Sequence, residues 1–182
     1  MSPFVRVIGS LIAGLLAAQA ATLEHLSLDE MTRKSTAIVR GRVLGSNATF
    51  DGPLIYTHFT VQVLECWKGP EAKRIDVVVP GGAARGLRQT FSGTPALAQG
   101  GEYLLFLWTG PSGLTHLIGL SQGVFAVAKD EQGGLVATRA VSTDAMLDTR
   151  TGRAVADQPL RLRLGDLRSR VTAAAGRGGS VK

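Results

Sequence analysis

From Ile55 to Val63 the chain alternates strictly. Ile55, Thr57, Phe59, Val61 and Val63 share one parity, and Tyr56, His58, Thr60 and Gln62 the other. A period of two, filled with β-branched and aromatic residues, is what a strand with one buried face produces. The run stops at Lys68-Gly69-Pro70, a turn-forming cluster. This stretch, residues 55–70, predicts the central strand of the fold. Ahead of it, residues 36–44 predict another strand, in which Gly41 marks a bulge or sharp bend. Residues 46–53 read as a loop that turns at Asp51-Gly52. Beyond the central strand, Ile75, Val77 and Val79 alternate within a third strand over 74–79. Residues 102–108 are almost continuously apolar and predict a buried strand. A Gly-Pro-Ser-Gly turn at 110–113 leads to a fifth strand over 114–120, then one over 124–128 and an edge strand over 135–141.

Two helices flank these strands. Ser27 and Glu30 have the spacing of a capping box, which predicts a helix of about two turns ending near Lys34, with Leu28, Met31 and Thr32 toward the core. Leu164, Leu167, Val171 and Ala174 recur at helical spacing and predict an amphipathic helix over 164–174. A tail from Gly176 is expected to be disordered. At the other end, Arg6 precedes an apolar run over 7–18, closed by the small-x-small triplet Ala18-Gln19-Ala20. These are the three parts of a secretory signal, and the run falls short of the ~20 residues a bilayer span requires. The expectation is export to the periplasm or beyond, with a mature chain starting at Ala21 and no transmembrane span left after cleavage.

Length and composition then divide the chain. The 182 residues suit one domain with appendages: a signal peptide at 1–20, a β domain at 21–149 and an extension at 150–182. With 45% hydrophobic residues and 23 glycines the chain reads as turn-rich globular β protein, too apolar to stay disordered. The single Cys66 excludes an intrachain disulfide and a cysteine-based zinc site, and leaves burial or pairing between chains. The net charge of +6 is local, because eight basic residues from Arg150 onward face only Asp157 and Asp166. The β domain itself is near neutral. That distribution, together with export, argues against nucleic acid as a partner, although Tyr56, Trp67, Phe91 and Trp108 are the side chains a stacking platform would use. Trp67 and Trp108 are expected in the core.

The predicted architecture is all-β with minor α: an OB-like, five- to six-stranded Greek-key barrel with a short N-terminal helix and a C-terminal amphipathic helix. The residues that carry a family likeness are Ala37-Ile38-Val39-Arg40-Gly41-Arg42-Val43, then Trp67-Lys68-Gly69-Pro70-Glu71, Ile75-Asp76-Val77 and Gly101-Glu102-Tyr103-Leu104-Leu105. Over about 25–128 the chain resembles the netrin-like module, the OB barrel of tissue inhibitors of metalloproteinases, in the cysteine-poor form of bacterial exported proteins. The resemblance implies inhibition through a free N-terminal amine, here Ala21 followed by Thr22. It also implies a cysteine that pins that terminus, which this chain does not have.

Other chemistry is sparse. His25, His58 and His116 are the only imidazoles, and their spacing builds no metal site. Gly119-Leu120-Ser121-Gln122-Gly123 matches the nucleophile-elbow spacing but lies between β segments, where that elbow does not occur. Gly81, Gly82 and Gly86 lack the Lys and helix of a phosphate loop. No cofactor or metal is expected. What stands out is the long Gly-rich stretch 80–101, in which Arg85, Arg88 and Gln89 offer donors and Phe91 an apolar anchor. The bland alternative is that the glycines only build a turn and the arginines are solvated. The expected function is an exported, non-enzymatic module that binds another protein or an extracellular ligand. The alternatives are a metalloprotease inhibitor acting through its N-terminus and a structural envelope component.

Overall fold

The computed structural model describes residues 22–142 and 144–178, so the signal-peptide reading, Ala21 and residues 179–182 lie outside them. Within that span the protein is mostly β, with two α-helices and one large mixed sheet. In chain order the elements begin with β1 (Thr22–Glu24), α1 (Leu28–Lys34), β2 (Ala37–Asp51), β3 (Leu54–Lys68) and β4 (Arg74–Pro80). They continue with β5 (Gly82–Ala84), β6 (Leu87–Gln89), β7 (Glu102–Thr109) and β8 (Thr115–Leu117), then a 3-10 turn over Leu120–Gly123. The last are β9 (Val124–Lys129), β10 (Leu135–Arg139), β11 (Ala145–Asp148), β12 (Arg153–Val155), β13 (Leu160–Arg163) and α2 (Leu164–Gly178).

The large sheet runs β13-β10-β9-β7-β2-β3-β4-β8, and β8 also pairs with β7. Most of its pairings are antiparallel; the link from β4 to β8 is parallel and passes through one residue pair, Val78 and His116. The central strand is β3, paired along β2 on one side and β4 on the other. Register shifts interrupt the β2–β3 ladder, one of them between Arg40 and Gly41. A Cβ at Gly41 would lie 2.4 Å from Val61 Cγ1 and 2.8 Å from the Gln62 carbonyl, so the bend brings two backbones together where no side chain fits.

The sheet is buried on two sides. Val39, Val61, Val77, Leu105 and Leu107 form an inner core enclosed by β2, β3, β4 and β7. Ile38, Leu104, Phe106, Phe125 and Ala137 point the other way, under Met31 of α1 and Leu167 and Val171 of α2. Alternate residues of β7 therefore enter different cores, which is why its sequence is apolar without a period. The capping box forms as expected: Glu30 N–H donates to Ser27 Oγ at 3.2 Å, and Ser27 N–H to Glu30 Oε2 at 2.9 Å. That carboxylate is held below the usual glutamate range, first by the Ser27 hydroxyl. At the other end of α1, Lys68 Nζ donates to the Thr32 and Arg33 carbonyls at 2.7 and 3.2 Å, closing a helix terminus that favours cations.

Several expectations are corrected. Residues 46–53 are not a loop: β2 continues to Asp51 opposite Leu54, and the chain reverses at Gly52 and Pro53. Polar Ser46, Asn47 and Thr49 read as loop, yet they belong to a hairpin arm whose burial is shallow and alternating. The fifth strand is three residues long, because Gly119 and Leu120 take left-handed dihedrals and start the 3-10 turn. β10 is not an edge, since β13 pairs along it. Charge sets the residues from Arg150 onward apart, yet two elements among the described ones, β13 and α2, pack on the rest of the fold. β13 extends the sheet, and Leu164, Leu167, Val171 and Ala174 are all buried. α2 continues through Gly178, past the start of the tail expected to be disordered. Trp108 is 44% exposed rather than core. Trp67 is half-buried against the helix-covered core, with the Arg168 guanidinium 5.9 Å from its ring centre. Cys66 is also half-buried, its thiol 3.4 Å from the Lys68 carbonyl.

Candidate functional site

The Gly-rich stretch after β4 folds into a small hairpin and then a long arm. Arg85 and Gly86, both at positive φ (50° and 77°), make the two-residue reversal between β5 and β6, the backbone shape a tight hairpin requires. Gly81 and Gly82 carry the chain across the end of β3. A Cβ on Gly82 would sit 2.5 Å from Thr57 Oγ1, and Gly81 N–H donates to the Ile55 carbonyl at 2.7 Å. Farther on, Leu97 enters the inner core at 7% exposure, and Gly100 and Gly101 hydrogen-bond Val43 of β2. The arm is therefore fastened at both ends.

Between arm and sheet lies a cavity of about 350 Å3, in the range of small-molecule sites. Phe59, Val79, Pro80, Pro95 and Ala96 give it apolar walls, and Thr57, Thr90 and Thr94 its hydroxyls. Thr57 Oγ1 donates to the Gly81 carbonyl at 2.7 Å and Thr94 Oγ1 to the Pro80 carbonyl at 3.3 Å, so two of those hydroxyls brace the backbone.

Of the four residues singled out in this stretch, three share the cavity. Arg88, Gln89 and Phe91 line the cavity. Arg85 does not; its guanidinium lies 5.6 Å from the Phe50 ring centre, on the β2–β3 hairpin. Gln89 is partly engaged within the fold. Its Oε1 accepts from Ile55 N–H at 2.6 Å and its Nε2 donates to the Pro53 carbonyl at 2.9 Å, so the amide clamps the hairpin arm. Arg88 is exposed at the rim and belongs to none of the ion pairs among the described residues. Phe91 is 40% exposed.

The N-terminal candidate is partly described. Thr22, exposed, pairs in parallel with Ala145 as β1 runs beside β11. The next turn of chain is held by buried Gln122, whose Nε2 donates to the Glu24 carbonyl and whose Oε1 accepts from Leu26 N–H, both at 2.9 Å. Nothing in the sequence marks Gln122 for this role. The cavity arm comes close to this segment: a Cβ on Gly93 would be 3.1 Å from Leu23 Cδ1, and Ser92 Oγ donates to Asp144.

The remaining chemistry is dispersed. Ser121 Oγ is buried with no hydrogen-bond partner among the described residues, and no imidazole or carboxylate of theirs bonds to it. His58 Nδ1 lies 2.7 Å from Asp76 Oδ2 on the outer surface of β3 and β4. Among the described residues no three His, Cys, Asp or Glu side chains converge on a point that would hold a metal. No helix among them is long and apolar enough to cross a membrane. No protein-family profile matches this chain, and no curated protein matches it either.

Proposed function

We propose that the chain is an exported, non-catalytic binding module, built on an OB-type barrel of the netrin-like kind, that takes its ligand in the cavity between β3 and the arm after β6. Support for the barrel comes from the pairings around β7, β2, β3, β4 and β8, which return to β7. The observation that carries the binding role is the pairing of an apolar cavity with one cation that no described residue pairs. Phe59, Val79 and Phe91 supply the walls, and Arg88 stands at the rim. Such a site suits an apolar group that carries an anion, whether a free carboxylate or the acidic end of a partner segment. A dye-displacement titration with octanoate and octanol tests it. Octanoate displaces the dye saturably and octanol poorly; Arg88→Ala removes that preference with an unchanged Tm. Equal displacement by both probes, or octanoate binding that survives Arg88→Ala, overturns the reading.

A second reading, protease inhibition through the mature N-terminus, rests on a different observation. Pairing of β1 with β11 and the Gln122 clamp order the chain immediately after Ala21, the task that a cysteine performs in the family it resembles. Inhibition of a zinc endopeptidase by protein beginning at Ala21, abolished by one added N-terminal residue, supports it. Equal activity of the two forms, or none, removes it.

A further inference from the structure

The outer surface of β3, β4, β8 and β7 carries a row of rings that the cavity does not use. Residues paired across strands share a face, and the pairs Tyr56–Pro80, His58–Val78, Val78–His116 and Trp108–His116 place these side chains on one side of the sheet. The His116 ring centre lies 6.4 Å from Tyr56, edge-on at 63°, and 6.3 Å from Trp108, tilted by 30°. Val78 beneath this row is 1% exposed, whereas Trp108 is 44% exposed. Trp108 is also seated. A Cβ at Gly110 would be 2.9 Å from Cη2 and 3.0 Å from Cζ3 of the indole, so only a bare backbone lets the ring lie there. Beside it a cleft of about 420 Å3 opens between Lys34, Trp108 and Ile118.

We propose that this row is a saccharide-binding platform. Ring faces carry partial negative charge, and the C–H face of a sugar, weakly positive, stacks on them. The groups around the rings suit hydroxyls: the His58–Asp76 pair offers a donor and an acceptor, and Thr60 extends the same face. A polyanion finds a poor match here. Arg74 shares the face through its pairing with Gln62, but Asp76, an exposed carboxylate, stands between it and the rings, and Lys34 of the adjoining cleft is paired with Glu24 at 3.0 Å. An open row of rings selects a ligand that is itself ring-shaped and extended, where a deep pocket selects a compact one. This proposal does not rest on the cavity at Arg88.

The test uses the purified protein and its tryptophan emission, to which only Trp67 and Trp108 contribute. Cellohexaose, chitohexaose and maltohexaose are titrated separately, with the oligonucleotide dT12 as the nucleic-acid arm. At least one sugar shifts the emission saturably and dT12 does not. Trp108→Ala abolishes binding measured by calorimetry and Tyr56→Ala weakens it about tenfold or more, with unchanged Tm. Arg88→Ala binds sugar as the parent does. Silence toward all three sugars, a response to dT12 alone, or full sugar affinity in Trp108→Ala overturns the proposal.

Discussion

One sheet presents two very different outward faces. Over β2, β7, β9 and β10 the outward residues are Ile38, Leu104, Phe106, Phe125 and Ala137, sealed under α1 and α2. Over β3, β4 and β8 the outward residues are Tyr56, His58, Val78 and His116, none of which belongs to the helix-covered core. Between the two lies a belt of ions. Arg40 pairs with Glu65 at 2.7 Å and with Glu102, Arg42 reaches Glu102 at 3.4 Å, and Arg168 of α2 reaches Glu65 at 3.5 Å. The contrast teaches where the cost of folding is met. Apolar area under the helices stabilises the domain, while the bare face is left with amphipathic rings that tolerate water and keep it available.

Breaking the covered side should have the largest effect. Arg139 and Asp157 form an ion pair at 2.7 Å with side chains 6% and 2% exposed, joining β10 to the segment that leads into β13. Asp157→Ala strands a buried guanidinium that already has one unpaired nitrogen, Nε. A loss of about 3–5 kcal/mol by urea unfolding is expected, and a double replacement of the pair by apolar residues restores much of it. Leu167→Ala, at a fully buried site on α2, is expected to cost about 2–5 kcal/mol in the same measurement.

Smaller effects follow toward the belt and the bare face. Gln122→Ala removes both clamps on the Glu24–Leu26 segment and should cost about 1–3 kcal/mol, with faster amide exchange at Leu26. Glu65 is held below the ordinary glutamate range, first by its hydrogen bond from the Trp67 indole and then by Arg40, against the opposing effect of burial. A carboxyl lowered on folding contributes stability that is present above its unfolded pKa and is lost as pH falls through its folded one. Glu65→Gln should therefore lower stability near neutral pH, by under about 1 kcal/mol, and flatten the acid limb of Tm against pH. Trp108→Ala on the bare face should change stability by under about 1 kcal/mol. If it proves as costly as Leu167→Ala, the two faces are not the different surfaces described above.

Local signals were legible where chemistry and periodicity are short-range. The capping box at Ser27 and Glu30, the alternation along β3, the break at Gly41 and the buried stripe of α2 all follow from neighbours within a few residues. The candidate site was half legible. Arg88, Gln89 and Phe91 stood out in a Gly-rich stretch and do line one cavity, but Gln89 also clamps the β2–β3 hairpin and Arg85, which looked identical to Arg88, lies outside it. Charge sets residues from 150 onward apart but is silent on their packing, since leucines spaced for one helix face do not say which sheet that face will cover.

The sequence by itself determined the β-rich class, most strand positions in the first half and both helices, because side-chain period and capping act locally. Only the tertiary structure decided that β13 joins the sheet beside β10, that Gln89 and Gln122 are clamps, and that Tyr56, His116 and Trp108 stand in one row. Those three rings come from separate strands, and cross-strand register, set by bulges and long-range pairing, is what brings them together.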